Sequence, residues 1–413
     1  MLILFSDGSL FQNPRNRKAL EVAEKCKLNS IVFCSAHKKY CDSDSSFVES
    51  LAHCENYVNL FYSNSAAWLV YSLLMRIYSI PTNLLPGFRA LAYFAASLLA
   101  YLPSLWCLLF RPPSILWLSS PFALAFVRCF SLLIALKKHI LVYDFQDILC
   151  DDTSTASLPK SCRLFLSNNE DWANNNARFV ISTSPAMSRF LKTKSMNSSC
   201  KRLVIYNSFD SLPVPDSKPS LAELDSGCLN FVWFSQTVGL DRGLDVFFKA
   251  TQLVSVPICL HVYGYLLPRY SRSFAESVPE SSNLTVSMKG LIPHSDLVSR
   301  LPFYDCGLSL DSSSFVSRDL TLTNKTLLYL EAGLNVLCFP TSSHKELLDD
   351  FGHLMHIASS PYEMARLFEI MFLKERALSD AKAKNVADFS DSRYGWSAQE
   401  DCYLSIFSEA QSL

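Results

Sequence analysis

"LTNKTLLYLEAGLNVLCFP", residues 322 to 340, reads as a short helix that runs through a glycine into an apolar strand. Asn324 is a candidate helix cap, Gly333 closes the helix, and the apolar run that follows has the character of a buried parallel strand. Lys325 is the discordant residue, because it puts a cation in the first helical turn, where the peptide dipole favours negative charge. Either it is a solvated lysine on an ordinary surface helix, or it meets an anion that the chain does not supply.

The same unit recurs on both sides of this stretch. In the C-terminal half, "LNFVWFS", "ICLHVYG", "NLTVSMKG", "CGLSLD" and "HLMHIA" alternate with helical stretches such as "LDVFFKATQLV" and "SDLVSRLPFY". In the N-terminal half, "LILF" and "SIVFC" flank the helix "ALEVAEKC", and "SILWLSS", "HILVYDF", "FVIST" and "RLVIYNS" follow. Short apolar runs that end in small or polar residues are the pattern of buried parallel strands with functional groups at their carboxyl ends. Residues 209 to 227, with three prolines and no sustained periodicity, interrupt the alternation. The expected fold class is therefore α/β, with two doubly wound Rossmann-like domains facing a central cleft. The expected boundaries are 1–207 for the N-terminal domain, 208–227 for the linker, 228–380 for the C-terminal domain and 381–413 for a closing crossover helix.

A chain of 413 residues is long enough for two such cores. Its 37 basic and 38 acidic residues nearly cancel, and no basic block stands out, which excludes a nucleic-acid tracking surface as the first reading. Charged residues make up 18% of the chain, against about 25% in ordinary soluble domains, and the apolar excess falls between about residues 66 and 137. Ala90 to Phe110 contains no charge, yet Pro103 interrupts it and strands of one apparent domain lie on both sides. An apolar helix or hairpin, part core and part sunk into one leaflet, is the expectation for the segment of about 84–110; a full span and plain buried core are the alternatives. The 14 cysteines form no CxxC pair and read as free thiols in a reducing compartment. Met1 opens directly into a strand, without a basic leader or cleavage site, so a cytoplasmic location at the inner face of the membrane is expected.

Taken in order, these stretches resemble the retaining GT-B glycosyltransferases that use nucleotide sugars. "NPRNRKALEVAEK" is similar to that family's first-helix pattern, "VYDFQD" to its Val-x-Asp-x-His-Asp strand end, and "LVIYNSFD", with Asn207, to its close of the first domain. "WFSQTVGLDRGLDVFFKA" resembles the loop before the first helix of the second domain, with Arg242-Gly243 at the family's Lys-Gly pair. "NKTLLYLEAGLNVLCFP" resembles its Asn-Lys-x-x-Glu-Tyr-x-x-x-Gly-x-Pro-Val segment, and "RYGWSAQEDCYLSIF" the entry to its last helix.

The resemblance implies a donor site in the second domain: Arg242 and Lys325 as cations on a leaving diphosphate, Gly243, Asn324 and Thr326 beside them, and backbone at Gly290, Leu291 and Ile292 edging the nucleotide base. Acceptor-side candidates are Asp147, also placed among the catalytic candidates, with Gln146 and the loop from Gly8 to Arg17. A loop arginine paired with Asp241 or Asp245 is the structural alternative for Arg242. The chain departs from the family at several points. Gln236 stands where a first-loop arginine is usual, and Gln146 replaces a histidine. The two family glutamates fall on Leu320 and Leu328, with Glu331 as an off-face substitute for the second, and Ser208 replaces a glycine.

The implied activity is a retaining, metal-independent transferase of the hexosyltransferase type. It would need no cofactor beyond its nucleotide-sugar substrate, would act on a lipid-linked or oligosaccharide acceptor, and would contact the membrane peripherally. The departures motivate a second reading, a catalytically silent GT-B subunit that scaffolds an active transferase. A nucleotide-sugar epimerase or a phosphorylase on the same fold is a third: the acidic and histidine groups of an epimerase cannot be placed, and a phosphorylase would be expected to carry a lysine-bound cofactor and a far longer chain.

Overall fold

The computed structural model describes residues 1–6, 9–10, 13–34, 38–59, 73, 86–119, 121–153, 155–208, 227–239, 242–374 and 379–412. It divides into two compact units, Met1–Ile205 with Glu400–Leu413, and Tyr206–Gln399. Gly8 and Asp241, and the prolines of the expected linker, lie outside the described residues.

Each unit is built on one parallel sheet. The first has seven strands in the order β3-β2-β1-β4-β5-β6-β7, namely β1 Leu2–Ser6, β2 Ser30–Cys34, β3 Cys54–Asn59, β4 Ile115–Leu118, β5 Ile140–Phe145, β6 Phe179–Ser182 and β7 Lys201–Val204. The second has six in the order β10-β9-β8-β11-β12-β13, with β8 Leu229–Val238, β9 Ile258–Leu266, β10 Leu284–Gly290, β11 Cys306–Ser309, β12 Asn335–Cys338 and β13 Met355–Ile357. In both sheets the strand order reverses beside the first strand, between β1 and β4 and between β8 and β11. This is the place where a doubly wound sheet leaves room for a ligand beyond its carboxyl ends.

The buried strands are the ones the apolar runs anticipate; β1, β2, β4 and β6 are buried at every position. β3 is an addition. "CENYVN" exposes Glu55 and Asn56 at the sheet edge, so it carries no continuous apolar run by which to recognise it. The core of the second unit centres on Phe231, Phe247 and Phe368, whose rings meet edge-on at 5.2 to 5.4 Å. In the first unit, Trp117 of β4 stacks on Tyr403 at 5.6 Å and approaches Phe407 at 5.9 Å, both on the closing helix Trp396–Ser412. Glu409 on the same helix bonds Arg178 at 3.0 Å and Lys201 at 2.6 Å, which explains why residues 400–413 belong with the N-terminal strands.

The apolar segment is not one continuous helix. A helix Pro86–Tyr101 gives way at Pro103 to a 3-10 turn, Leu102–Ser104, and a second helix, Leu105–Phe110, follows. Among the described residues no helix is long and apolar enough to cross a membrane. Every described cysteine is a free thiol.

Candidate functional site

At the switch point of the second sheet, β11 ends at Ser309 and the chain turns through Leu310 and Asp311 into the helix Val316–Leu320 and then Asn324–Glu331. Gly243 makes the approach of the neighbouring loop possible. It adopts a φ of +79°, and a Cβ there would lie 2.6 Å from both the Cβ and the carbonyl oxygen of Leu310. Only glycine meets both demands at low cost, and Arg242 is thereby carried to the end of β11.

The result is a knot of charge around one buried carboxylate. Lys325 Nζ lies 3.5 Å from Asp311 Oδ2, and Arg318 Nη1 lies 3.9 Å from Asp311 Oδ1. The Lys325 ammonium also sits 5.3 Å above the Trp233 ring of β8. Neither Lys325 Nζ nor Asp311 Oδ2 has a hydrogen-bond partner among the described residues, although both are buried. The two partners titrate in ways that differ instructively. Burial alone would raise the Asp311 pKa, but Lys325, Arg242 and Arg318 together hold it below the usual carboxylate value. Burial pushes Lys325 down; Asp311 opposes this, while Arg242 and Arg318 add to it. Asp311 is surrounded by cations, whereas Lys325 has one counter-charge and two like charges. Three cations surround the Asp311 carboxylate, and with Asp319 beside Arg318 counted as well the balance of the site stays positive, an arrangement suited to an anion.

The surrounding framework is polar and closed. Thr326 Oγ1 bonds Ser309 Oγ at 2.7 Å and His344 Nε2 at 3.1 Å, and it lies 3.2 Å from Thr323 Oγ1. His344 Nδ1 donates to the Phe339 carbonyl at 2.9 Å, and burial lowers its pKa, so the ring is neutral and Nε2 accepts. Asp319 accepts from the Ser342 amide at 2.9 Å and its hydroxyl at 2.6 Å, which fixes the short helix carrying Arg318. The helix cap itself differs from expectation. Thr323 is the N-cap, without a side-chain capping bond, and Asn324 is the first helical residue, its Oδ1 accepting from Asn207 Nδ2.

The remaining candidates are spread out. Gln236 is exposed in the irregular end of β8. Gly290, at φ +71°, ends the edge strand β10 and is followed by exposed Leu291 and half-buried Ile292; β9 separates β10 from β8. Leu320 and Leu328 are core residues. Glu331 is buried at the far end of its helix, about 9 Å along the axis from Lys325 by helical rise.

Gln146 and Asp147 belong to the first unit. Gln146 exchanges amide hydrogen bonds with Asn13 at 3.3 Å, and Asp147 is half-buried just beyond β5. Much of the resembling "NPRNRK" motif serves that unit's structure. Arg15 forks onto Asp144 at 2.6 and 2.9 Å and donates to the Ile205 carbonyl at 2.7 Å, while Asn16 bridges Ser6 and Ser119 at 2.8 Å each.

Asp311, Arg318 and His344 were not apparent from sequence. Asp311 follows an apolar strand by two residues, a position with some signal; Arg318 lies in "SFVSRDL", which carries none.

No protein-family model and no curated protein sequence matches the chain. Solved structures do. Anabaena HepE in complex with UDP and glucose is 14% identical, over 99% of this chain and 100% of that one, with a TM-score of 0.66. Sucrose-phosphate synthase from Thermosynechococcus elongatus is 12% identical, over 99% of both, with a TM-score of 0.67. A putative UDP-N-acetylglucosamine 2-epimerase from Listeria monocytogenes is 8% identical, over 98% of this chain and 94% of that one, at 0.55. The two parallel-sheet α/β domains are thus those of the GT-B glycosyltransferase fold. At these identities the likeness establishes the fold; the chemistry rests on the site.

Proposed function

We propose that the chain is a retaining glycosyltransferase of the hexosyltransferase type, moving a sugar from a UDP or GDP donor to a lipid-linked or surface-polysaccharide acceptor. The observation that carries this reading is the excess of positive charge around Asp311, placed at the switch point of the second sheet. As the bond from the anomeric carbon to the diphosphate breaks, negative charge builds on phosphate oxygens, and Arg242, Arg318 and Lys325 offset it. The acceptor hydroxyl forms the new bond on the same face and passes its proton to the departing phosphate. Three protein cations make a metal unnecessary in this scheme. Gln146 and Asp147 serve the acceptor, and the apolar segment of about 84–110 keeps the enzyme at the cytoplasmic membrane face. The likeness to HepE with UDP and glucose supports the donor class.

One observation favours a second reading, a GT-B subunit without activity. Leu328 is packed into the core where a ribose-binding glutamate is expected, and Gln236 supplies no cation. The test is release of nucleoside diphosphate from UDP- and GDP-sugars incubated with the protein and a membrane lipid extract. Release that depends on Lys325 supports the transferase. Nucleotide binding without release favours the inactive subunit, and a folded protein that binds no nucleotide contradicts the transferase.

A further inference from the structure

Between Glu55 and Asp144 the chain has no acidic residue and six basic ones, Arg76, Arg89, Arg111, Arg128, Lys137 and Lys138. Within this stretch two short helices, Leu105–Phe110 and Ser131–Leu136, lie in contact. Their inner faces bury Cys107, Leu108 and Ile134. Their outer faces are also apolar: Trp106 is 54% exposed, Phe110 70%, Leu132 73% and Leu136 72%. His139 fixes the pair as one element. The Ser114 amide donates to its Nδ1 at 3.1 Å, so Nε2 carries the hydrogen and donates to the Leu108 carbonyl at 3.1 Å. Basic residues follow each helix directly, Arg111 after the first and Lys137 with Lys138 after the second. Arg111 lies 5.2 Å over the Trp106 ring and also pairs with Glu55 at 2.9 Å.

The preceding helix Pro86–Tyr101 turns Ala92, Ala96, Ala100 and Tyr101 into the core and leaves Leu91 and Leu99 exposed. We infer that the face formed by Trp106, Phe110, Leu132 and Leu136 rests on an anionic lipid bilayer, with Arg111, Lys137 and Lys138 among the headgroups. An aromatic and leucine face seats in the headgroup–acyl boundary, and a cationic rim selects negatively charged lipid. This makes specific the membrane contact of the proposed function, and it stands or falls separately from donor binding.

The test is co-sedimentation of the full chain with vesicles of phosphatidylcholine alone or with about one third phosphatidylglycerol, at low and high salt. Binding to the anionic vesicles, weakened by salt, is expected. Trp106→Ser/Phe110→Ser and Leu132→Ser/Leu136→Ser each weaken it more than about tenfold, and each lysine of Lys137→Gln/Lys138→Gln contributes about fivefold. Circular dichroism and urea unfolding confirm that the variants fold. Absence of binding to either vesicle, or equal binding to both without a lysine effect, overturns the inference. So does a dimer in sedimentation that the same apolar variants dissociate, because the face then belongs to a second copy.

Discussion

Replacing Lys325 with methionine separates a ligand-binding cation from a structural one. The substitution removes the ammonium and keeps an unbranched apolar stem in the same buried slot. At 3.5 Å the attraction between Lys325 and Asp311 is about 5 kcal/mol for an effective dielectric of about 20. Against it stand the desolvation of a buried ammonium, several kcal/mol, and repulsion from Arg242 and Arg318. Asp311 retains Arg318 at 3.9 Å and the nearby Arg242, so its charge is not stranded when Lys325 goes. The expected change in unfolding free energy is therefore within about 1 kcal/mol, where stranding a buried charge costs about 3–5 kcal/mol. Diphosphate binding loses a charge-assisted contact of about 1.5–3 kcal/mol, or about ten- to a hundredfold in affinity. Urea unfolding with and without UDP reads both quantities. At a UDP concentration of about 100 times Kd the wild type gains about 2.7 kcal/mol, and a variant weakened about fiftyfold gains only about 0.6 kcal/mol. A Lys325→Met protein that loses several kcal/mol without ligand, or keeps the full UDP-dependent gain, refutes the reasoning.

Three further outcomes follow from the geometry. Burial raises the Glu170 pKa from 4.5 to about 7 against two backbone amides that bond it. The resulting stability is fully present below the unfolded value of 4.5 and is lost as pH rises through about 7. Glu170→Gln should then match the wild type near pH 4, and be more stable by up to about 3 kcal/mol at pH 8, in urea titrations at both pH values. Gly243→Ala forces a left-handed conformation and a clash with Leu310, and should lower stability by about 2 kcal/mol or more along with nucleotide affinity. Arg15→Gln leaves Asp144 buried without its fork and should cost the first unit about 3–5 kcal/mol, measured by denaturant unfolding.

The parallel strands were legible because strands covered on both faces read as unbroken apolar runs; exposed β3 has no such run. The turn at Gly333 and the helix before it were legible for local reasons, since Gly333 takes a φ of +72° and the Leu334 amide bonds back to the Tyr329 carbonyl. Lys325 was legible as a cation out of place in a helix, but its counter-charge was not. Asp311 reaches it only because β11 and the helix Asn324–Glu331 pack together, and no local pattern records that. The same limit applies to Arg15 and Asp144, both inside motifs noted in the sequence, whose pairing spans 129 positions. Arg318 brings a further cation to Asp311 from the short helix Val316–Leu320, on the other side of the switch point from Gln236.

The diphosphate site proposed for the second unit is built from Arg242, Arg318 and Lys325. Isothermal titration of the full chain with UDP and GDP, in the wild type and in Arg318→Gln/Lys325→Met, tests it most directly. Saturable binding of one of the two nucleotides by the wild type is expected, with at least about a hundredfold loss in the folded double variant. Wild-type protein that is folded and binds neither nucleotide, or a double variant that binds as tightly as wild type, would contradict it.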